Sequence, residues 1–188
     1  MLQGKSDEEI VQIYKEGNKE AFKELIDRYS SHLYNFSARL AGKNNASDIV
    51  QETFIKVWGN MERFDPKKAS FKTWIFTIAK NSITDFLRKK KMILFSDMGI
   101  GSSEETDSFL ENIPDENLLP DEMLQKLEEK EFLNKTLDKL RYDYREILLL
   151  HYQEDMTFDE IGKILGQPLN TVKSKHYRAM IELRKNML

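Results

Sequence analysis

His151, Glu154 and Asp155 stand within five residues of one another, next to the end of an apolar helical run, and form the densest acid–base set in the chain. A general base needs a partner that orients it, and a metal needs three or four ligands at close spacing. Neither requirement is met. There is no cysteine, no second histidine stands at ligand spacing, and His32 and His176 are isolated. A Gly-rich phosphate loop and a nucleophile motif are also missing. The set therefore reads as a surface histidine beside helix-end acids, and the sequence implies no enzyme, metal or cofactor.

The remaining chemistry is recognition. Residues 157–184, TFDEIGKILGQPLNTVKSKHYRAMIELR, hold a short capped helix that ends at Gly166, a brief turn, and a second helix from about Asn170. This is the sequence form of a helix-turn-helix. On the second helix Val172, Ala179 and Leu183 share one side. Thr171, Ser174, Lys175 and Arg178 face away from it, with Lys173, Tyr177 and Arg184 on a flank. Short hydroxyls and amides near a helix start can reach base edges, while flanking cations meet phosphates.

A second strip lies in RFDPKKASFKTWIFTIAKNSITDFLRKKK, residues 63–91. Phe71, Trp74, Ile75, Ile78 and Ser82 point to one side of its helix and read as core. Thr73, Thr77, Lys80, Asn81, Thr84 and Arg88 form the opposite strip, beside the Lys67-Lys68 loop and a basic helix end. Polar and cationic groups next to aromatics suit single-stranded nucleic acid.

Helices must position both strips. Gly and Pro are sparse, at 8 and 4 residues, and Lys, Glu, Leu and Ile are plentiful, so the fold class is all-α. Capping pairs at Ser6/Glu9, Asn45/Asp48, Asp143/Glu146 and Thr157/Glu160 mark helix starts. Phe22, Leu25, Ile26, Tyr29, Leu33, Phe36 and Leu40 form a long apolar stripe closed by Gly42. Ser70 caps the helix that carries the first polar strip. This organisation predicts an N-terminal helical domain over residues 1–92, a flexible acidic linker over 93–119, and a helix-turn-helix domain over 120–188. Four helices are expected in the last of these, near 121–140, 144–153, 158–165 and 170–186. Residues 97–131 carry a net charge of −10 and the rest of the chain +7, so basic regions at both ends suggest a polyanionic partner. The absence of a signal peptide, a long apolar run and cysteine fits a cytoplasmic protein with no membrane insertion.

One residue breaks the pattern. In DIVQETFIKVWGNM, residues 48–61, an apolar arc of Val50, Phe54, Val57, Trp58 and Met61 opposes Asp48, Gln51, Glu52 and Lys56. Ile55 projects into the polar arc, as a residue at a partner-binding face would.

Together these motifs resemble the extracytoplasmic-function (ECF) sigma factors of bacterial RNA polymerase, over nearly the whole chain. DIVQETFIKVW resembles the family's polymerase-binding helix. FKTWIFTIAKNSITDFLRKK resembles the segment that melts and reads the −10 promoter element, and TFDEIGKILGQPLNTVKSKHYRA the segment that reads the −35 element. The resemblance implies that Asp48, Gln51, Glu52 and Ile55 meet the clamp of the β′ subunit of core polymerase, with the β subunit as a further partner. It implies that Phe64, the Lys67-Lys68 loop and Asn81 hold a flipped −10 base, and that Lys80, Thr84, Asp85 and Arg88 lie along the same promoter DNA. Asn170, Thr171, Lys173, Ser174, Lys175, Tyr177 and Arg178 would face the −35 duplex. An anti-sigma factor is also implied, and no cofactor. The chain departs from the family pattern at Leu140-Arg141, where Leu-Pro is frequent, at Gln167, usually apolar, and at Asn170, often Gly. A dimeric helix-turn-helix regulator is the competing reading. It accounts for residues 157–184 and leaves the first ninety without a role.

Overall fold

The structure, a computed structural model, describes residues 4–97, 132 and 135–187. All regular structure among the described residues is helical. Helix α1 (Asp7–Lys15) starts on a complete capping box: the Glu9 N–H donates to Ser6 Oγ at 3.2 Å, and the Ser6 N–H donates to Glu9 Oε2 at 2.7 Å. Helix α2 (Ala21–Ala41) buries its Leu25, Tyr29, Leu33, Phe36 and Leu40 stripe and stops at Gly42, whose φ of 86° costs little only without a Cβ. Helix α3 (Lys43–Asn60) runs on into a 3₁₀ turn, Met61–Arg63. Helix α4 (Phe71–Asp97) is started by Ser70, whose hydroxyl accepts from the Thr73 N–H at 3.2 Å.

In the C-terminal half, α5 (Tyr142–Leu148) opens into a π-helical turn, Leu149–Gln153. Helix α6 (Phe158–Leu165) carries a second complete capping box, from Thr157 and Glu160, and ends at Gly166 in the left-handed region. Helix α7 (Leu169–Met187) follows after the three residues Gly166, Gln167 and Pro168.

Two of the expected caps are not caps. Helix α3 begins directly after Gly42, so Asn45 lies inside its first turn and donates from Nδ2 to the Ala41 carbonyl at 2.7 Å. Helix α5 begins at Tyr142 after Arg141, which places Asp143 inside the helix. The Asx-to-acid spacing marks a start only where the preceding residues are not themselves helical. Helix α4 also continues five residues beyond Met92, and the expected linker from residue 98 on lies outside the described residues. So does most of the helix expected near 121–140, of which residues 135–138 are helical.

The two halves share one buried apolar cluster. Leu25, Leu33, Phe36, Ile49, Val57, Phe71, Ile75, Phe76 and Ile83 from the N-terminal half join Ile147, Leu150, Met156, Ile161, Ile164 and Val172. Each such side chain contributes about 1.5–3 kcal/mol on burial, so the cluster dominates the cohesion of both units. A smaller cluster of Leu140, Tyr144, Leu148 and Ala179 fixes α5 to α7.

Candidate recognition surfaces

Helix α3 presents the first surface. Ala46, Ile49, Thr53 and Val57 are its buried residues. Thr53 fits among apolar neighbours because its hydroxyl donates to the Ile49 carbonyl at 2.7 Å, which leaves a methyl for the core. This rotates the buried arc away from the one expected around Val50, Phe54 and Trp58. Val50 and Phe54 are half-buried at its edge, and Trp58 is 58% exposed. Ile55 is 67% exposed, and Asp48 and Gln51 are exposed with it. Glu52 is half-buried and pairs with Lys56 Nζ at 2.8 Å. The outward face is therefore an apolar pair, Ile55 and Trp58, rimmed by hydrogen-bonding groups. Trp58 was hidden in the sequence by its place at the margin of the apolar arc, and counting Thr53 as core would have turned it outward.

The second surface lies on α4 and the loop before it. Lys67 and Lys68 are exposed, and the Lys67 N–H donates to Asp65 Oδ1 at 3.0 Å, shaping the loop. Asn81, Thr84 and Arg88 stand open in a row, one turn apart. Asp85 is half-buried and takes Arg88 Nη2 at 3.0 Å. Phe64 departs from the expected contact with a base. It is 4% exposed, its ring 5.1 Å from Trp74 and 5.6 Å from Phe71. These two rings, one edge-on and one tilted, hold it inside, so it anchors the loop from beneath. Thr73, expected on the open strip, is 2% exposed, and Lys80 is half-buried. Both are covered by the C-terminal half.

The third surface is α7. The turn before it is closed by the Gln167 N–H donating to the Gly162 carbonyl at 2.9 Å. Gly162 permits that approach, since a Cβ there would lie 2.8 Å from the Gln167 carbonyl oxygen. Val172 and Ala179 are fully buried against α6 and α5, which turns Asn170, Thr171, Lys173, Ser174, Tyr177 and Arg178 outward. Lys175 does not join them. It is half-buried and pairs with Asp143 at 3.2 Å, tying α7 to α5.

The acid–base set is not assembled. His151 Nδ1 faces the Met156 carbonyl at 2.8 Å and its ring stacks on Phe158 at 4.5 Å. The Glu154 carboxylate lies on the other side, 2.9 Å from His32 Nδ1. His176 Nε2 meets the Tyr152 hydroxyl at 3.0 Å, and burial beside His151 holds its pKa below the usual imidazole range. One carboxylate is perturbed strongly. Glu146, buried among α4, α5 and α7, is pushed up to about 7 by desolvation, which Lys80 and Lys175 only partly offset.

Helices joined this way place one open polar strip on α4 and another on the second helix of a helix-turn-helix, the arrangement of a two-part nucleic-acid-binding protein. Residues 25–92 match the family model Sigma-70 region 2, and residues 133–183 match Sigma-70, region 4. The chain is 32% identical over 174 residues to the ECF RNA polymerase sigma factor SigW of Bacillus subtilis, covering 92% of each. It is 28% identical to the ECF RNA polymerase sigma-E factor of Haemophilus influenzae, covering 97% of this chain and 96% of that one. The fold is also that of the sigma factor RpoE in complex with the anti-sigma factor NepR from Bartonella quintana. There the TM-score is 0.70 and the identity 23%, over 89% of this chain and 97% of that one. The chain belongs to the ECF sigma factors of RNA polymerase. A stand-alone helix-turn-helix regulator is not favoured, because the region 2 match occupies the half which that reading leaves idle. None of the described helices is long and apolar enough to cross a membrane.

Proposed function

We propose that this sigma factor acts in the cytoplasm by docking on the β′ clamp of core polymerase through α3, reading the −10 element with α4 and the −35 element with α7. On this reading it makes and breaks no bond itself. Asp48, Gln51 and Glu52 supply hydrogen bonds to the clamp, and Ile55 with Trp58 supplies the apolar centre of a small interface. Asn81, Thr84 and Arg88 follow the melted strand, with Phe64 holding the Lys67-Lys68 loop in place. Flipping a base costs a few kcal/mol, which stacking and pocket contacts of about 1–3 kcal/mol per base can offset. Asn170, Thr171, Lys173, Ser174, Tyr177 and Arg178 face the −35 duplex, each base-edge contact adding about 1–3 kcal/mol of discrimination. Tethering both units on one polymerase raises their effective concentration on the promoter. An anti-sigma factor is the expected antagonist.

The observation that carries this reading is the coexistence of two open polar strips, Asn81/Thr84/Arg88 on α4 and Thr171/Lys173/Ser174/Arg178 on α7, with an open apolar pair on α3. The test is transcription from a promoter library by core polymerase with and without the protein. New start sites that share two spaced elements are expected. Unchanged initiation, with the protein shown to be folded, refutes it.

A further inference from the structure

Helix α1 grips the Lys67-Lys68 loop at both of its ends. At the entry, Lys15 Nζ donates to the Phe64 carbonyl at 2.8 Å and to the Glu62 carbonyl at 3.3 Å. At the exit, Glu8 Oε1 accepts from the Phe71 N–H at 3.1 Å. Phe71 is the first residue of α4, so its N–H has no partner within the helix, and a carboxylate there also meets the positive end of the helix dipole. Glu8 and Lys15 are both half-buried. Seven residues apart, they share one face of α1 and lie about 10.5 Å from each other along its axis. The nearby Lys19 approaches Glu62 only to 3.9 Å, with both side chains exposed, and adds little.

The helix that grips is itself held. Ile10, Val11 and Tyr14 are buried, and Asp7 accepts from the Tyr29 hydroxyl and, at 2.8 Å, from Arg28 Nη1. Arg28 also donates to the Lys5 carbonyl at 2.9 Å and to Glu24 at 3.0 Å, which ties the start of α1 to α2. Inside the loop the Lys67 N–H donates to Asp65 Oδ1 at 3.0 Å and the Lys68 N–H to the Asp65 carbonyl at 3.1 Å. That turn sets local shape, not where the six residues between Phe64 and Phe71 sit on the domain. The Phe64 and Phe71 rings seat the two ends in the core, while Lys15 and Glu8 hold main-chain atoms of the same two residues. They thereby fix the directions in which the chain enters and leaves the loop. We propose, on the reading of this loop as part of the pocket for a flipped base, that Lys15 and Glu8 are positioning residues for base discrimination in the −10 element. Helix α1 is the splint that keeps the pocket wall in register with Asn81. Both residues precede the segment matched by the region 2 family model, which begins at residue 25.

Amide hydrogen exchange in the intact free protein tests the splint itself. Lys15→Met should speed exchange at the Lys67 and Lys68 N–H groups at least tenfold, and Glu8→Met should do the same at the Phe71 N–H. The amides of Leu33 and Phe36, buried on α2, should keep their protection. Initiation with core polymerase then tests the consequence, on a promoter recovered from the library, with each of the four bases placed in turn at every −10 position. Both variants should flatten the preference at the position the loop holds about tenfold, the equivalent of about 1.4 kcal/mol. The other −10 positions, the −35 element and polymerase binding should be unaffected. Lys15→Arg and Glu8→Gln, which keep a donor and an acceptor, should restore most of the preference. Unchanged loop exchange, α2 loosened together with the loop, or a loss spread evenly over all positions would each overturn the proposal, as would conservative variants no better than the methionines. A wild-type protein with no base preference anywhere in the −10 element would instead remove the reading of the loop, on which the exchange result does not depend.

Discussion

Replacing Glu146 by Gln should change how the protein's stability depends on pH. Glu146 is a buried acid with a folded-state pKa of about 7 against an ordinary value of 4.5. The folded state therefore holds the proton that the unfolded state releases between those values. Stability from this group is fully present below pH 4.5 and is lost as pH rises through 7. At about 1.36 kcal/mol per pKa unit, the loss between pH 5 and pH 8 comes to roughly 2–3 kcal/mol. Lys80 and Lys175 face the carboxylate from α4 and α7, and Asp143 from its own helix, so all four groups belong to the comparison. His176 works in the opposite direction, since its depressed pKa favours folding as pH rises. The quantity to measure is thus the difference between the wild-type and Glu146→Gln unfolding free energies, from urea titrations at pH 5, 6, 7 and 8. The variant should gain on the wild type from pH 5 to 7, with the difference levelling off towards pH 8. Parallel pH profiles would show that the carboxylate is solvated in solution and that α4, α5 and α7 do not close over it.

Three further outcomes follow from the surfaces. Ile55→Lys and Trp58→Ala should each weaken core polymerase binding by about 2 kcal/mol, some thirtyfold, while unfolding free energies stay within about 0.5 kcal/mol; titration on immobilised polymerase with a parallel melt separates the two effects. Gly162→Ala normally would gain up to about 1 kcal/mol in a helix, but the 2.8 Å approach to a main-chain oxygen leaves no side chain to move aside. Overpacking of about 1–3 kcal/mol should win, giving a lower denaturation midpoint. Lys173→Ala and Arg178→Ala should reduce initiation at a promoter that depends on its −35 element, whereas Lys175→Ala should mainly lower stability by breaking the α7–α5 ion pair and leaving Asp143 to Arg141 alone; equal promoter defects for all three would place Lys175 on the DNA.

What the sequence disclosed was local. The capping boxes at Ser6 and Thr157, the Gly42 and Gly166 stops and the outward residues of α7 all follow from spacings of four residues or fewer or from single-helix periodicity. The arc of α3 was misjudged because threonine looks polar until its hydroxyl is returned to the helix backbone. The closure of the two halves was not legible at all. Glu154 and His32 are 122 residues apart, and Lys72 and Glu154 are 82 apart. A lone glutamate at a helix end gives no sign that its partners lie in another unit. Lys175 shows the same limit, for periodicity suggested exposure where Asp143 had claimed the side chain; at Phe64 the contact with a base was implied by the resemblance alone, and Phe71 and Trp74 hold the ring inside.

The π-helical turn at Leu149–Gln153 holds one residue more than an α-helical turn would, with the Glu154 N–H reaching back five residues to the Leu149 carbonyl at 3.2 Å. Deleting a residue here would let the backbone relax to an ordinary turn and would change which side chain stands at its end. Glu154 would leave His32, while α7 would keep its outward set, which its own buried Val172 and Ala179 fix. Chain length in this turn is therefore a phase setting, and an insertion or deletion of one residue is expected to damage the packing around Glu154 more than most substitutions within it.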